Sequence, residues 1–327
     1  MTVSEIGFWI LSFGENYEGE PMKKNKLAWY NVKRQMVWYS FIIVSILILL
    51  VLTYIPMLTT IKYSFYDVSV VGFGEKFTGI KNYKLILNNS SFLRSVYNTV
   101  ILALMGLVSI PVGFILASLI NGLGRGKIQG FFRVGYYFPN IITGVSVILV
   151  FQIVLKANDG LLNNFLSFIT GQEVNIGWLT NASYGKFGAT ILGVWSHLGY
   201  SMLINLASLQ SIPSEIYEAA EVDGATGFQS WLRITIPQMV SCFAFLFITN
   251  IIGGLARFTD LFILGGNTSA GRPGGTLQTI LMYIYQFSFE TPQYGIASAG
   301  AMILFIVTLA ITLGNLKMTG FFKKNKE

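Results

Sequence analysis

Carboxylates are concentrated in one short stretch of this sequence. Glu215, Glu218, Glu221 and Asp223 make up four of the 15 acidic residues in the chain. An enzyme that used them for acid–base or metal chemistry would need His, Cys or paired carboxylate side chains clustered at the same site. His197 is the only histidine, and no carboxylate pair lies near it in sequence. We therefore predict no catalytic residue, no metal site and no enzymatic activity, and we expect His197 to pack or hydrogen-bond between helices.

The acidic stretch is predicted to form two short helices joined by a glycine. Ser214 can cap a helix that begins at Glu215, and acidic residues in a first turn interact favourably with the helix dipole. Gly224 can end that helix in the left-handed conformation. A second short amphipathic helix is expected at about residues 228–234, before Pro237. The alternative interpretation is a solvated acidic loop, because runs of charge are commonly solvated surfaces.

The composition is that of a membrane protein. Hydrophobic residues make up 53% of the chain and charged residues 11%, whereas about 25% of the residues in a typical soluble domain are charged. A membrane-spanning helix needs about 20 mostly apolar residues. Apolar runs of this kind lie at about residues 37–61, 96–120, 134–155, 187–209, 239–264 and 294–316. The sequence therefore predicts an all-α membrane protein with six transmembrane helices.

Basic residues flank these apolar runs instead of forming one stripe. They cluster at residues 23–34, 125–133 and 317–326, as the positive-inside rule describes for cytoplasmic segments. We therefore expect cytoplasmic tails at residues 1–36 and 319–327, with the acidic stretch on the same side of the membrane. The dispersed charge gives no indication of a nucleic-acid partner.

One glycine-rich segment, GLGRGK at residues 122–127, superficially resembles a phosphate-binding loop. Asn121 stands where the first glycine of such a loop belongs, and Ile128 replaces the Ser or Thr that would meet magnesium. We therefore predict no nucleotide site and no cofactor in this chain.

The acidic stretch carries a motif that identifies a family. A fixed set of residues at fixed spacing defines it: Glu218, Ala219, Ala220, Gly224, Ile234 and Pro237. Together these residues resemble the EAA loop of binding-protein-dependent ABC importer permeases, with Ile236 where Leu is usual. The wider block LQSIPSEIYEAAEVDGATGFQSWLRITIPQ is similar to the carbohydrate-uptake branch. Weaker matches fall in the family's order from about residue 37 to 316, and the chain resembles the first of two paired permease subunits.

This resemblance implies a fold and a division of the chain. The fold is a six-transmembrane-helix ABC importer permease bundle with a cytoplasmic helix-turn-helix coupling loop. Residues 37–318 would form the permease domain, and residues 211–237 its EAA loop. The loop would dock in a cleft of an ATPase subunit through a defined set of residues: Glu215, Glu218, Ala219, Ala220, Asp223, Gly224, Ile234 and Pro237.

The resemblance also implies partners in a bacterial inner membrane. A second homologous permease would complete the cavity, and a cytoplasmic ABC ATPase dimer would hold ATP and magnesium. An extracytoplasmic sugar-binding protein would deliver the sugar or oligosaccharide substrate, and lipid would surround the spans. A stand-alone secondary transporter or channel is the alternative, although such carriers commonly show internal repeats and no convincing repeat is visible here.

Polar and aromatic residues inside the predicted spans are candidates for a substrate pathway. They are Asn140, Gln152, Trp195, His197, Gly199, Tyr200, Asn250, Arg257, Thr259 and Asp260. Amides, hydroxyls and aromatic faces suit sugars, but the same groups also form hydrogen bonds between membrane helices. Arg257 is a full charge at membrane depth and needs a compensating partner. That partner is either Asp260, one helical turn away, or a carboxylate on a uronate-containing oligosaccharide.

Overall fold

Residues 39–69, 74–124, 126–142 and 144–318 are described by the computed structural model. The predicted tails at residues 1–36 and 319–327 lie outside these ranges. The chain divides into two compact units, Met1–Thr59 and Thr60–Glu327. In the first unit the described residues are helical and mainly apolar, and all but Thr59 are exposed. The second unit holds the elements that position the site.

The described residues are mostly helical. The helices are α1 (Tyr39–Ser64), α2 (Lys81–Leu87), α3 (Ser90–Gly106), α4 (Ser109–Gly122), α5 (Lys127–Ile141), α6 (Gly144–Val154), α7 (Leu161–Thr170), α8 (Gly185–Leu209), α9 (Ser214–Val222), α10 (Gly227–Gln238), α11 (Val240–Leu255), α12 (Thr259–Leu264), α13 (Ile280–Tyr285) and α14 (Tyr294–Met318). Wider π-helical turns occupy Leu50–Tyr54, Trp231–Thr235 and Gln286–Glu290. Two short antiparallel strands, β1 (Tyr66–Asp67) and β2 (Lys76–Phe77), pair Tyr66 with Phe77.

Four segments are each long and apolar enough to cross a membrane. They are Tyr39–Ser64, Ser90–Gly122, Gly185–Leu209 and Tyr294–Lys317. Two bent pairs, α5 with α6 and α10 with α11, bring the number to six if each pair counts as one span. The all-α membrane fold predicted from the sequence is therefore confirmed within the described ranges.

Helix α8 packs closely against α4 in the second unit. A Cβ added at Gly113 of α4 would lie 2.8 Å from the Cβ of Ser201 on α8, so the two backbones approach where side chains are small. Apolar side chains of α4, α8 and α11 form one core cluster around Phe114 and Met202. A second cluster joins α6, α8 and α12 around Leu192 and Leu261. These clusters hold the helices that carry the candidate residues.

The fifth span differs from its predicted extent. The sequence predicts one apolar run at residues 239–264, but α11 ends at Leu255 and α12 begins at Thr259. Arg257 lies in the break, where its carbonyl accepts a hydrogen bond from Thr279 Oγ1 at 3.1 Å. The hydropathy of a span is averaged over many residues. A short break in the helix, whose free carbonyl is hydrogen-bonded by a distant side chain, therefore does not show in the hydropathy of the sequence.

Candidate functional site

The first helix of the EAA loop begins one residue earlier than expected. Helix α9 starts at Ser214, Pro213 occupies the cap position, and no side chain caps the helix. The prediction that Ser214 caps a helix starting at Glu215 is therefore wrong. Pro213 explains the difference, because its ring holds φ at −59° and directs the chain into the first turn without a side-chain acceptor.

The glycine turn between the two loop helices has the predicted geometry. Gly224 has φ of +79°, a left-handed conformation that glycine adopts without steric cost. Ala225 N–H donates to Ala220 C=O at 2.9 Å and satisfies one of the last carbonyls of α9. The turn therefore ends α9 as a glycine C-cap does.

The second loop helix is longer than the predicted residues 228–234, because α10 covers Gly227–Gln238. Its start is set by a capping box: Thr226 Oγ1 accepts from Gln229 N–H, and Gln229 Oε1 accepts from Thr226 N–H. Sequence reasoning missed this cap, although Thr226 and Gln229 have the spacing that signals it. The hydroxyl oxygens of Tyr217 and Thr235 lie 3.0 Å apart and share a hydrogen bond. This bond connects α9 to α10.

The EAA loop presents unpaired acids beside exposed apolar side chains. Glu215, Glu218, Glu221 and Asp223 are all exposed, and none forms an ion pair with another residue in the described part of the chain. Val222 is 89% exposed. Val222 adds apolar area to this surface, and the neighbouring acids add charge. This combination is typical of helices that dock in a partner's groove.

The remaining motif residues occupy different environments. Ala219 is exposed and Ala220 half-buried, so the middle of α9 is a smooth surface. Ile234 is half-buried within the π-helical turn, and Pro237 is exposed near the end of α10. The motif thus supplies both the loop's outer surface and its attachment to the fifth span.

A polar cleft lies among α5, α8 and the break before α12. Its volume is about 350 Å³, and its polar lining brings together four predicted candidates and one residue that sequence reasoning missed: Asn140, His197, Arg257, Asp260 and Ser196. Asn140 and His197 are exposed, and Asp260 is half-buried. Ser196 lies between two predicted candidates on α8, but nothing in its own spacing marks it. The cleft therefore offers an amide, a hydroxyl, an imidazole and a charge pair.

Arg257 is held by groups of the chain itself. Its Nε donates to Asp260 Oδ2 at 2.9 Å, and its Nη2 donates to the Ala189 carbonyl at 2.8 Å. A Cβ added at Gly193 would lie 3.1 Å from Nη1, so the glycine makes room for the guanidinium. The ion pair with Asp260, one of the two predicted alternatives for Arg257, is present.

The imidazole of His197 is oriented by its own helix. Nδ1 lies 2.9 Å from the Gly193 carbonyl, one turn earlier on α8. The expectation for His197 is packing or hydrogen bonding between helices, and this hydrogen bond instead lies within α8. The rest of the ring remains exposed on the cleft, where it can meet a ligand.

An aromatic groove of about 390 Å³ adjoins the cleft. Both share Pro139, and the groove is lined by rings from α5 and α8: Phe131, Phe132, Tyr136, Phe138 and Trp195. Trp195 is 37% exposed, and its ring contacts the Phe151 ring, with centroids 5.1 Å apart. Exposed aromatic rings beside polar groups form a surface suited to sugar binding.

Five other candidates do not line the cleft. A Cβ on Gly199 would lie 2.1 Å from the Tyr136 carbonyl, so Gly199 serves the close approach of α5 and α8. Asn250 accepts from Ser109 Oγ at 3.1 Å and joins α11 to α4. Gln152 donates to the Ile263 carbonyl at 2.9 Å. Tyr200 packs in the core cluster of α4, α8 and α11, and Thr259 is exposed at the start of α12.

The chain is similar to known membrane transport components. A family model described as a binding-protein-dependent transport system inner membrane component matches residues 109–323. The chain is 30% identical to a multiple sugar-binding transport system permease protein of Streptococcus mutans, over 87% of this chain and 96% of the relative. It is 31% identical to an arabinooligosaccharides transport system permease protein of Halalkalibacterium halodurans, over 93% of this chain and 94% of the relative.

The fold is also similar to a solved transporter structure. A chain from a bacterial ABC transporter involved in the import of the acidic polysaccharide alginate superposes with a TM-score of 0.76 and 26% identity. That similarity covers 91% of this chain and 99% of the other. A chain of the alginate transporter in complex with an alginate pentasaccharide-bound periplasmic protein superposes with a TM-score of 0.72 and 25% identity, over 90% and 98% of the two chains.

Proposed function

Because the chain belongs to the family of binding-protein-dependent transport system inner membrane components, we propose that it is one of two permease subunits of an ATP-driven sugar importer. It spans the bacterial inner membrane with both termini in the cytoplasm. A second, homologous permease completes the translocation cavity, and an extracytoplasmic binding protein delivers the sugar. ATP and magnesium are bound by a separate ATPase dimer, so this chain carries out no chemistry on ATP.

The observation that carries this proposal is the exposed EAA loop. Its four acids lack an ion pair within the described part of the chain, and Val222 and Phe228 expose most of their side chains, 89% and 71%. Exposed apolar patches rimmed by polar residues mark protein–protein interaction sites. A basic-lined groove of the ATPase would cover these side chains and pair the acids.

The two helices of the EAA loop, α9 and α10, would move together as one rigid body. The Tyr217–Thr235 hydroxyl contact joins α9 to α10, and α10 runs directly into α11 with a bend of 59°. When the ATPase dimer closes on ATP, movement of the docked loop would therefore reach the fifth span. We assign the switch between inward-open and outward-open states to this rigid-body displacement.

The polar cleft supports a role for a second permease. Asn140 and His197 are exposed on helices assigned to membrane spans, and polar groups at membrane depth avoid lipid and face a water-filled cavity or another protein. The adjoining aromatic groove adds ring faces suited to sugar. We therefore place the sugar pathway along this face, between this chain and the second permease.

We propose an oligosaccharide as the substrate, either neutral or uronate-containing. The names of the arabinooligosaccharide relative and of the transporter complex with alginate pentasaccharide support an oligosaccharide. For a uronate, the supporting observation is the Arg257 guanidinium on the cleft wall. Asp260 already neutralises it through Nε and Nη2, so a substrate carboxylate would compete with Asp260 for Arg257.

Co-purification with the ATPase tests the proposed function. The chain is co-expressed with a candidate second permease and a candidate ATPase from the same organism, and it is isolated in mild detergent through a tag on this chain. The proposal predicts that a second permease and an ATPase are recovered with it. Isolation of this chain without either subunit, together with ion-driven uptake in liposomes, would instead establish the stand-alone carrier.

A further inference from the structure

The EAA loop is attached to the second span through the side chain of Trp231. Its Nε1 donates to Ser118 Oγ at 3.2 Å, and its ring stacks on Phe114, with centroids 5.4 Å apart and planes at 20°. Ser118 and Phe114 both belong to α4. Within the described ranges, this is the one hydrogen bond between residues 214–238 and the second span. Trp231 thus connects the loop to a helix that is distant in sequence.

Trp231 is the second ring in a column of four aromatic rings, which also holds Phe228, Phe114 and Phe243. On the loop side, the Phe228 ring stacks against it at 6.1 Å and 21°. On the membrane side, Phe114 meets the Phe243 ring edge-on at 5.0 Å and 86°. Phe228 is 71% exposed on the loop surface, whereas Phe243 lies on α11. The column therefore runs from the surface proposed to meet the ATPase to both the second and the fifth spans.

A cavity beside the column separates the loop from the end of α4. It has a volume of about 450 Å³, and its lining includes Asn121 and Gly122 from α4 with Tyr217 and Glu221 from α9. Asn121, Gly122 and Glu221 are exposed, so this space opens to the surface. Close-packed side chains, by contrast, transmit strain through direct contact. Across this cavity, the facing residues of α9 and α4 are separated by open space and not by packed side chains. The packed rings of Trp231 and Phe114 provide that direct contact.

We propose that Trp231 is a positioning residue that transmits displacement of the EAA loop to the second and fifth spans through the rings of Phe228, Phe114 and Phe243. The hydrogen bond to Ser118 orients the indole, and the stacked rings carry the movement. The proposal rests on the proposed function, because it assumes an ATPase that displaces the loop. Without the indole, part of that displacement would be absorbed in the enlarged gap.

The test compares Trp231→Leu with Trp231→Phe in the complete transporter. The complex of both permeases and the ATPase is placed in liposomes with its binding protein, and sugar uptake and ATP hydrolysis are measured on the same sample. Phe retains an aromatic ring at this position, and Leu does not. We expect Trp231→Leu to keep the ATPase bound but to lower sugar transported per ATP by about tenfold, within the usual range of coupling between sites. Trp231→Phe should retain most of the wild-type ratio.

Trp178→Leu is the matched control. Trp178 is also half-buried, donates from Nε1 to Asn163 Oδ1 at 2.8 Å and contacts a neighbouring ring, that of Tyr184. It lies outside the EAA loop, so its loss should lower stability without changing the ratio of transport to hydrolysis. If Trp231→Leu fails to assemble, Phe114→Leu and Phe114→Tyr are compared instead, because Phe114 is the next ring in the column.

The outcomes separate this inference from the proposed function. A wild-type chain that binds no ATPase would overturn the proposed function itself. If the wild type is ATP-driven, an unchanged ratio in Trp231→Leu, or an equal fall in Trp231→Leu and Trp231→Phe, would overturn the assignment of Trp231 alone. A fall in the ratio that is confined to the variants without a ring would support it.

Discussion

The guanidinium of Arg257, in the break between α11 and α12, forms an ion pair with the carboxylate of Asp260 in the first turn of α12, with Nε 2.9 Å from Oδ2. Arg257 is buried, with 9% of its side chain exposed, and Asp260 keeps 24%. A charge at membrane depth needs such compensation. The pair also lies on the wall of the polar cleft. Breaking it would therefore change both the stability of the fifth span and the charged groups that a substrate meets in the cleft.

Removing the Arg257 charge separates the structural role from a substrate role. Arg257→Gln leaves Asp260 without its partner, and we expect a loss of about 1–3 kcal/mol, the usual cost of an unsatisfied half-buried group. Thermal unfolding in detergent measures this loss. The double variant Arg257→Gln with Asp260→Asn should recover part of it, because no unpaired charge remains.

Uptake of matched acidic and neutral oligosaccharides by the same Arg257→Gln variant tests the uronate proposal. If Arg257 serves the pair alone, uptake of both sugars should fall together and recover together in the double variant. A selective loss of acidic-sugar uptake that the double variant does not restore would assign Arg257 to the substrate.

Gly224→Val should weaken attachment of the ATPase. Its φ of +79° is a conformation in which a side-chain-bearing residue costs about 1–3 kcal/mol, so the turn would shift and misplace α10. Co-purification of the ATPase measures the effect. Gly227→Ala is the matched control, since it adds a methyl group in the same loop into open space and without a positive φ. Equal ATPase recovery from both variants would contradict the role given to the turn.

Glu218→Lys should reduce ATPase recovery through charge reversal at the docking surface. Glu218 is exposed and forms no ion pair with other described residues, so the change should leave the fold of the chain intact. Glu173→Lys, the same reversal at an exposed acid outside the loop, is the control. The difference between the two should diminish as salt is raised, because screening weakens exposed charge pairs. Wild-type recovery with Glu218→Lys at low salt would remove Glu218 from the interface.

Gly199→Ala should destabilise the packing of α5 on α8. The added Cβ would lie 2.1 Å from the Tyr136 carbonyl and 2.9 Å from Asn140 Nδ2, and overpacking of this kind costs about 1–3 kcal/mol. Gly253→Ala, with nothing within 4 Å of the new atom, should leave the unfolding temperature unchanged. An unfolding temperature for Gly199→Ala equal to that of Gly253→Ala would show that the two helices can separate freely.

Local signals predicted the loop better than the cleft. The left-handed turn at Gly224 follows from the residue type and the helix it ends, both of which are visible in sequence. The sequence predicts the start of α9 one residue late, because Pro213 and Ser214 are both acceptable at a helix start and only the backbone decides between them.

Long-range partners account for what the sequence did not predict. Asn250 was a pathway candidate because it is polar within an apolar run, but its partner Ser109 lies 141 residues away. The same holds for the break at Arg257, whose carbonyl is satisfied by Thr279. A single sequence shows that such groups need partners, but it does not show which residues the fold brings to them.

Sugar uptake into liposomes tests the central claim most directly. The liposomes contain this chain with the second permease and the ATPase, with ATP on the side of the EAA loop and the sugar-loaded binding protein on the opposite side. The account predicts accumulation that requires both ATP and the binding protein and that falls with Glu218→Lys on this chain. Accumulation by this chain alone, driven by an ion gradient and unaffected by ATP, would contradict it.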